Sequence, residues 1–289
     1  MRCSSCTYVW LDGPPRPEEM PLHYDEDYHR AIVTAGEKSA EGRWRMQRER
    51  ISQYKKSGAL LDIGCSSGGF LGTMKRGSWE LHGIEMNAST AEKAKASTGA
   101  ELFVGNAADA PFPAGRFDVI TCFDVVEHVY QPRQLLGKVR EWLKPDGIFY
   151  TTLPNIDSWE ARLLGTCWYG LELPRHLSHF SPRSLRYVMS SLGFQEIAIS
   201  TPASSYVERS ASYVCSEFLE KVGISPVPMV NTGPRGFASR AVRKVLRLTL
   251  IELFAAAASL AGAAGSIEGI FSKFDLKASG PAVTSETQS

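Results

Sequence analysis

Residues Ala59–Phe70 read ALLDIGCSSGGF, an aliphatic run that passes through one acid into a turn of glycine and serine. The aliphatic part predicts a short buried strand, and the small residues predict a tight connection into a helix. Nucleotide-binding loops look much like this, and Gly64, Ser66 and Gly69 approach the G-x-G-x-x-G spacing. Two residues weigh against a dinucleotide. Ser66 stands where the middle glycine would let backbone approach a pyrophosphate. Asp62 sits at the strand end, where its charge repels phosphates.

Working outward, the chain alternates strand and helix. ELHGIEMN is a second strand, AELFVGN a third, FDVITCFDV a fourth and IFYTTLPN a fifth, with QEIAIST as a sixth. Between them lie helical stretches: GGFLGTMKRG, ending at Gly77; ASTAEKAKASTG, ending at Gly99; and QLLGKVREWLKPDG. SPRSLRYVMSSLGF predicts a further helix, with Ser181 as N-cap, Pro182 at its first position and Gly193 at its stop. This alternation implies an α/β fold, with a doubly wound, mostly parallel sheet and helices on both faces. Upstream, EGRWRMQRERISQYKK is a charged helix with Trp44, Gln47 and Ile51 on one side, covering the edge of that domain. IDSWEARLLGTCWYGLELPRHLSHF breaks the pattern as a long aromatic loop region.

A ligand with positive charge and no phosphate resolves the conflict at Asp62. S-adenosylmethionine carries an ammonium and a sulfonium, and both suit a carboxylate beside the turn. Glu85 closes the second strand about 20 residues on, where an acid can accept both ribose hydroxyl hydrogens. Asn106 follows the third strand, where its amide can meet an adenine edge. A dinucleotide enzyme also places an acid at the position of Glu85, so an NAD-dependent oxidoreductase of similar topology stays open.

These stretches together resemble the class I, Rossmann-like, S-adenosylmethionine-dependent methyltransferases, over roughly residues 45–199. The branch most resembled includes ubiquinone-type O-methyltransferases and bacterial sugar and glycan methyltransferases. LDIGCSSGGFL resembles the first cofactor motif, GIEMN the ribose-binding acid, GNAADAPFP the adenine loop and FDVITCFDVVEHV the fourth-strand motif. LKPDGIFYTTLPN resembles the helix end and fifth strand that follow. The resemblance implies that Asp62, Gly64 and Gly68 line the methionine end, Glu85 the ribose, and Asn106 with Ala107 the adenine. It places Phe123 at the cofactor floor, and Ser66 and Met86 complete the expected cofactor site. The chain departs from the family at Ser66 and at Asn106, where an acid is common.

Methyl transfer to a hydroxyl needs alignment and removal of one proton, and histidine suits that task near neutral pH. His128 follows the fourth strand, and His176 and His179 lie in LPRHLSHFS. His128 and His176 are the expected catalytic residues. Trp168, Tyr169, Leu173, Arg175 and Phe180 lie with His176 and His179 in WYGLELPRHLSHFSPRSL and are expected to wall the acceptor. Asp124, Glu127 and His128 have the i, i+3, i+4 spacing that projects three ligands from one helical face. Ubiquinone-type relatives can hold a divalent cation there, but relatives without a metal carry the same Glu-His pair. The cation is kept as an alternative and no metal is assigned.

Lys and Arg number 32 against 31 Asp and Glu, so a net charge of +1 makes no electrostatic case for nucleic acid. Six cysteines, four of them scattered singly, make no disulfide framework and fit a reducing cytoplasm. Cys3 and Cys6 form half of a zinc-ribbon site that needs four ligands, so bound zinc is not expected. The expected domains are an arm over 1–30, a methyltransferase domain over 31–205, a C-terminal helical extension over 206–278 and a disordered tail over 279–289. The extension can return a last strand. Its helix, SRAVRKVLRLTLIELFAAAASLAGAAG, begins with Arg240, Arg243, Lys244 and Arg247 and then turns apolar. Alanine, glycine and serine dilute it below a membrane span, leaving a core or interface helix, or one lying on a bilayer surface. The expected partner is a small-molecule or glycan/lipid-linked acceptor. A non-catalytic module that binds the cofactor and works through this helix is the third alternative.

Overall fold

The computed structural model describes residues 1–24, 41–203, 206, 210 and 253–273. In chain order these form β1 (Val9–Trp10), a helix over residues 41–52 (α1), β2 (Ser57–Ile63), α2 (Gly69–Met74) and β3 (Ser78–Glu85). Next come α3 (Ala88–Thr98), β4 (Glu101–Val104), β5 (Phe117–Phe123), α4 (Pro132–Trp142) and β6 (Leu143–Pro154). The remainder is α5 (Trp159–Leu164), β7 (Ser178–His179), α6 (Pro182–Ser191), β8 (Gln195–Ser200), a helix over residues 253–260 (α7) and β9 (Ser266–Ser272).

Seven strands form the central sheet in the order β4-β3-β2-β5-β6-β9-β8. β2 to β6 pair in parallel, and among the described strands β9 runs antiparallel to both of its neighbours, β6 and β8. The doubly wound, mostly parallel sheet read from the alternation is thus present. Its chain order reverses between β2 and β5, the switch point outside whose carboxyl ends such sheets bind ligands.

Alternation along each strand splits the core. Leu61, Ile63, Ile120 and Phe149 face α4 and α6 with Leu136, Val139, Trp142 and Leu185. Leu60, Val119, Ile148 and Tyr150 face the other way, against Ile51, Phe70, Leu71 and Ala94 from α1, α2 and α3. Successive strand residues point to opposite faces, so a sheet covered on both sides needs continuous apolar runs such as ALL and DVITCF. Each large side chain so buried contributes about 1.5–3 kcal/mol.

The helix boundaries follow their caps. Asn87 accepts the Thr90 amide at the start of α3, and Gly99 ends it at φ +75°. Ser181 and Ser184 form a reciprocal cap on α6, with Pro182 in its first turn. Trp44, Gln47 and Ile51 do share the packed side of α1. The aromatic loop region differs from its reading as loop: Ser158 caps α5 by accepting the Ala161 amide. That capping pattern, with Glu160 in the first turn, was present in the sequence.

β9 lies between β6 and β8, so residues 266–272 belong to the central sheet as the returning strand. Of the stretch expected to form a long C-terminal helix, residues 253–260 are described as α7. The earlier residues of that stretch, the tail over 279–289 and HYDEDYHR beyond Tyr24 lie outside the described residues.

Candidate functional site

The turn after β2 is held by its own backbone. Gly64 N and Cys65 N both donate to Ile84 O on β3, at 2.8 and 3.1 Å, and Gly68 N donates to Cys65 O. Ser66 N donates to Glu85 Oε2 at 3.0 Å. Gly64 (φ +74°), Ser66 (φ +49°) and Gly68 (φ +83°) are all left-handed, a region that costs most residues 1–2 kcal/mol. Gly64 has a second reason to be glycine, since a Cβ there would stand 2.4 Å from Val125 Cγ2. A Cβ on Gly68 would press on Ala94 and Thr98 of α3, so its glycine serves helix packing while its backbone bounds the turn.

Glu85 is fixed at both oxygens, because Asn87 N donates to Oε1 at 3.0 Å. Each carboxylate oxygen keeps a further lone pair. The carboxylate therefore sits beside the turn, able to accept two more hydrogens without moving. Asp62 is buried at the end of β2 and accepts from Thr121 Oγ1 at 2.7 Å. Burial pushes its carboxyl up to about 7, and the Glu85 charge adds to the rise against the Thr121 hydrogen bond. A cation arriving at this end would restore the charged form. These two acids thus fit S-adenosylmethionine by charge and by acceptor count.

The rest of the expected cofactor shell is less uniform. Asn106 accepts from Ala108 N at 2.9 Å through its side-chain oxygen, capping a short turn, which leaves its amide nitrogen and one oxygen lone pair for an adenine. Ala107 is half-buried against the core and Met86 is 75% exposed at the strand end. Phe123 lies edge-on between Phe70 and Tyr150, at 5.1 and 5.0 Å. Sequence reasoning missed α1 as part of this end. Trp44 lies over Gly69, and Arg43 bonds Asp124 Oδ2 at 3.1 Å. The helical period had put Trp44 on a packed face but could not say against what.

After β5 the chain makes a second cluster. Asp124 is left-handed at φ +55° and also accepts from Thr152 Oγ1 at 3.0 Å. Val126–His128 then forms one 3-10 turn, not an α-helix. The expectation that Asp124, Glu127 and His128 share a helical face therefore fails, because Asp124 precedes the turn and is held by Arg43 and Thr152. His176 takes its place. A carboxylate oxygen of Glu127 and one ring nitrogen each of His128 and His176 lie within 4.8 Å of one another.

Among the described residues neither Glu127 carboxylate oxygen has a hydrogen-bond partner, and burial with the nearby Asp124 charge holds this carboxyl well above the usual range. His128 Nδ1 lies 3.1 Å from Arg175 O and 3.1 Å from Tyr24 Oη. A carbonyl can only accept, so the proton sits on Nδ1 and the Nε2 lone pair is left open. Burial, helped by His176, pulls the His128 imidazole down to about 4, so it is neutral at pH 7. His176 packs edge-on to it, with ring centres 4.5 Å apart.

His176 itself is 3% exposed, with Nδ1 2.9 Å from Gly170 O and Nε2 3.4 Å from Glu172. It lies beneath the aromatic loop rather than on its surface. His179 is buried in β7 opposite Val9 and belongs to the packing of the N-terminal hairpin. In the expected acceptor wall, Trp168 and Phe180 are also buried, whereas Tyr169, Leu173 and Arg175 keep surface. Arg175 bonds Glu172 at 2.9 Å and reaches His23 O at 3.0 Å, tying the N-terminal arm across His128.

A family model described as a methyltransferase domain matches residues 37–199, more than half of the chain. A ubiquinone biosynthesis O-methyltransferase of Cronobacter sakazakii is 32% identical over 114 residues, covering 37% of this chain and 47% of the relative. The corresponding protein of Actinobacillus pleuropneumoniae is 33% identical over 107 residues, covering 32% and 45%. The chain thus spans about half the length of these curated relatives. Among solved structures, an Archaeoglobus fulgidus SAM-dependent methyltransferase superposes with a TM-score of 0.57 at 18% identity, over 86% of this chain and 100% of that one. A Streptomyces coelicolor geranyl diphosphate C-methyltransferase, solved with Mg2+, geranyl diphosphate and S-adenosyl-L-homocysteine, gives 0.55 at 14% identity, over 92% and 91%. These likenesses show the fold. With the charge and geometry of the turn, they place the chain in the methyltransferase-domain family, as a class I, S-adenosylmethionine-dependent member.

Proposed function

We propose that this protein transfers a methyl group from S-adenosylmethionine to a hydroxyl of a small-molecule or glycan/lipid-linked acceptor. One observation carries the choice of cofactor: the turn spends the amides of Gly64 and Cys65 on Ile84 O of β3, that of Ser66 on Glu85 and that of Gly68 on Cys65 O. A phosphate cradle needs such amides free. Asp62, buried beside it, makes the same end hostile to pyrophosphate and receptive to a cation. This disfavours the NAD-dependent alternative.

Bound at this turn, S-adenosylmethionine supplies a methyl carbon already activated by its sulfonium. The chain's own work is to bind, orient and take a proton. Asp62 balances the cationic end and Glu85 accepts the ribose hydroxyls. His128, with its Nδ1 proton anchored on Arg175 O, takes the acceptor hydroxyl proton at Nε2. His176 holds that ring and the Gly170 backbone in place and acts as a positioning residue. The O-methyltransferase names of the curated relatives support an oxygen acceptor.

A second reading is favoured by the approach of Glu127, His128 and His176. Those three would hold a divalent cation, which would supply positive charge to the acceptor oxygen in place of proton removal by His128. Turnover unchanged by EDTA supports the base; turnover lost to EDTA and restored by Mg2+ supports the cation. Calorimetry with S-adenosylhomocysteine and with NAD tests the cofactor. Binding of NAD alone overturns the reading. Labelled-methyl uptake across quinone precursors, nucleotide sugars and glycolipids tests the acceptor. Cofactor binding with no uptake anywhere would favour the non-catalytic module.

A further inference from the structure

Helix α7 is apolar on the side that faces solvent. Ala255 and Ala258 are buried against the domain, while Leu253 is 66% and Leu260 92% exposed, with Ala256 and Ala257 exposed between them. Helices of soluble domains carry polar residues on that side. The neighbouring α5 continues the face. Trp159 is 39% and Leu163 74% exposed, one turn apart, and the Trp159 ring lies 6.1 Å from Phe254. Trp159 N donates to Ala263 O at 2.9 Å, which joins the two helices. Both border the carboxyl end of the parallel strands, since α5 follows Pro154 and α7 leads into Ser266, its partner in the sheet.

The sequence before α7 names the occupant. Residues 240–252 carry four cations, Arg240, Arg243, Lys244 and Arg247, against one acid, Glu252, in a chain whose charges otherwise nearly balance. The apolar spacing of α7 also runs back through them, since Val242, Leu246, Leu250, Leu253 and Leu260 recur at helical steps. Apolar residues with tryptophan on one side and basic residues beside them are the composition of a segment that lies in an anionic bilayer surface. No helix among the described residues is long and apolar enough to cross a membrane. A second copy is the weaker occupant, because a two-fold interface would bring each basic stretch toward its own duplicate.

We infer that the α5–α7 face docks on an anionic membrane surface, Trp159, Leu163, Leu253 and Leu260 entering the headgroup boundary beside the carboxyl-end crevice. The inference stands apart from methyl transfer and is read without cofactor or acceptor. The full chain is sedimented with phosphatidylcholine vesicles with and without phosphatidylglycerol. Binding to the anionic vesicles is expected, weakened by salt, with a blue shift in tryptophan emission that Trp159→Phe reduces. Leu253→Glu with Leu260→Glu is expected to weaken binding at least about tenfold. Leu163→Glu, on the other helix, gives an independent reading if the double variant fails to fold. No vesicle binding, or full binding retained by folded variants, overturns the inference. A dimer of the native chain that the same variants dissociate assigns the face to a second copy and also overturns it.

Discussion

The proposed cofactor end and the proposed acceptor end of the crevice are built by opposite means. At the cofactor end, Asp62, the turn and Glu85 lie within one strand-turn-helix-strand unit, and their hydrogen bonds are largely to one another. At the acceptor end, Tyr24, Glu127, His128, Glu172, Arg175 and His176 come from distant parts of the chain, and the Glu127 carboxyl has no hydrogen-bond partner among the described residues. A buried polar group left unpaired costs about 1–3 kcal/mol, a cost that falls on Glu127 and not on Glu85, whose two oxygens both accept backbone amides. The first is a finished receptacle; the second is poised for a ligand, a proton or a cation.

The largest expected effect divides the two ends. His128→Ala should lower turnover by roughly 10²–10⁴ while the dissociation constant for S-adenosylhomocysteine stays near its native value. Equal loss in both would erase the division. His176→Ala should instead lower the melting temperature along with turnover, because it removes a buried ring hydrogen-bonded to Gly170 O. A fully stable His176→Ala enzyme with lost turnover would promote it from positioning to catalysis.

Next in size is Glu85→Ala. Hydrogen bonds to a charged group contribute ~1.5–3 kcal/mol each, so losing the ribose acceptors should weaken S-adenosylhomocysteine at least roughly tenfold. Ser66 N and Asn87 N lose their acceptor too, so the turn should loosen, which hydrogen exchange at those amides would report. Native affinity in the folded variant would remove Glu85 from the site.

Asp62 gives a smaller, pH-dependent effect whose sign is fixed. Its folded carboxyl is raised from the ordinary 3.8 to about 7, so the ligand-free protein holds that proton between the two values. The stabilisation of the free fold is full below pH 3.8 and is lost as pH rises through 7. A cationic ligand needs the ionised form. Affinity for S-adenosylmethionine should therefore climb with pH below 7 and level off above, approaching about tenfold per unit at the steepest, with a shallower rise for S-adenosylhomocysteine, which keeps the ammonium but not the sulfonium. Asp62→Asn should flatten that curve, weaken binding at pH 8 and raise the melting temperature of the free protein there. A pH-independent native curve between 5.5 and 8 would contradict the charge pairing.

The smallest effect is expected at Glu127. Burial holds its carboxyl well above the usual range and so favours the uncharged form that glutamine mimics, and Glu127→Gln should change stability by only about 1 kcal/mol in thermal unfolding. If turnover depends on a cation, the same variant should lose its response to Mg2+. If His128 acts as the base, turnover should be nearly native.

The distinction between the two ends also decides what could be read in advance. The alternating strands and the two strand-end acids were legible in ALLDIGCSSGGF and GIEMN because strand period, glycine turns and the residues that close them are set by neighbours within a few tens of residues. Ser181 with Pro182, and Gly99 after its helix, marked helix ends for the same local reason. Spacing misled at Asp124, Glu127 and His128, since i, i+3, i+4 reasoning presumes an α-helix and the chain there makes a left-handed residue and a 3-10 turn.

By itself, then, the sequence determined the α/β alternation, the strand-end acids and a turn unsuited to pyrophosphate, all of them consequences of local backbone preference and charge. Tertiary structure alone decided that β9 enters the sheet between β6 and β8, that His176 rather than Asp124 joins Glu127 and His128, and that α1 lies over Gly69 and Asp124. These depend on contacts between residues tens to more than a hundred positions apart. Such contacts are selected by burial and shape across the whole core, and they leave no period or spacing along the chain.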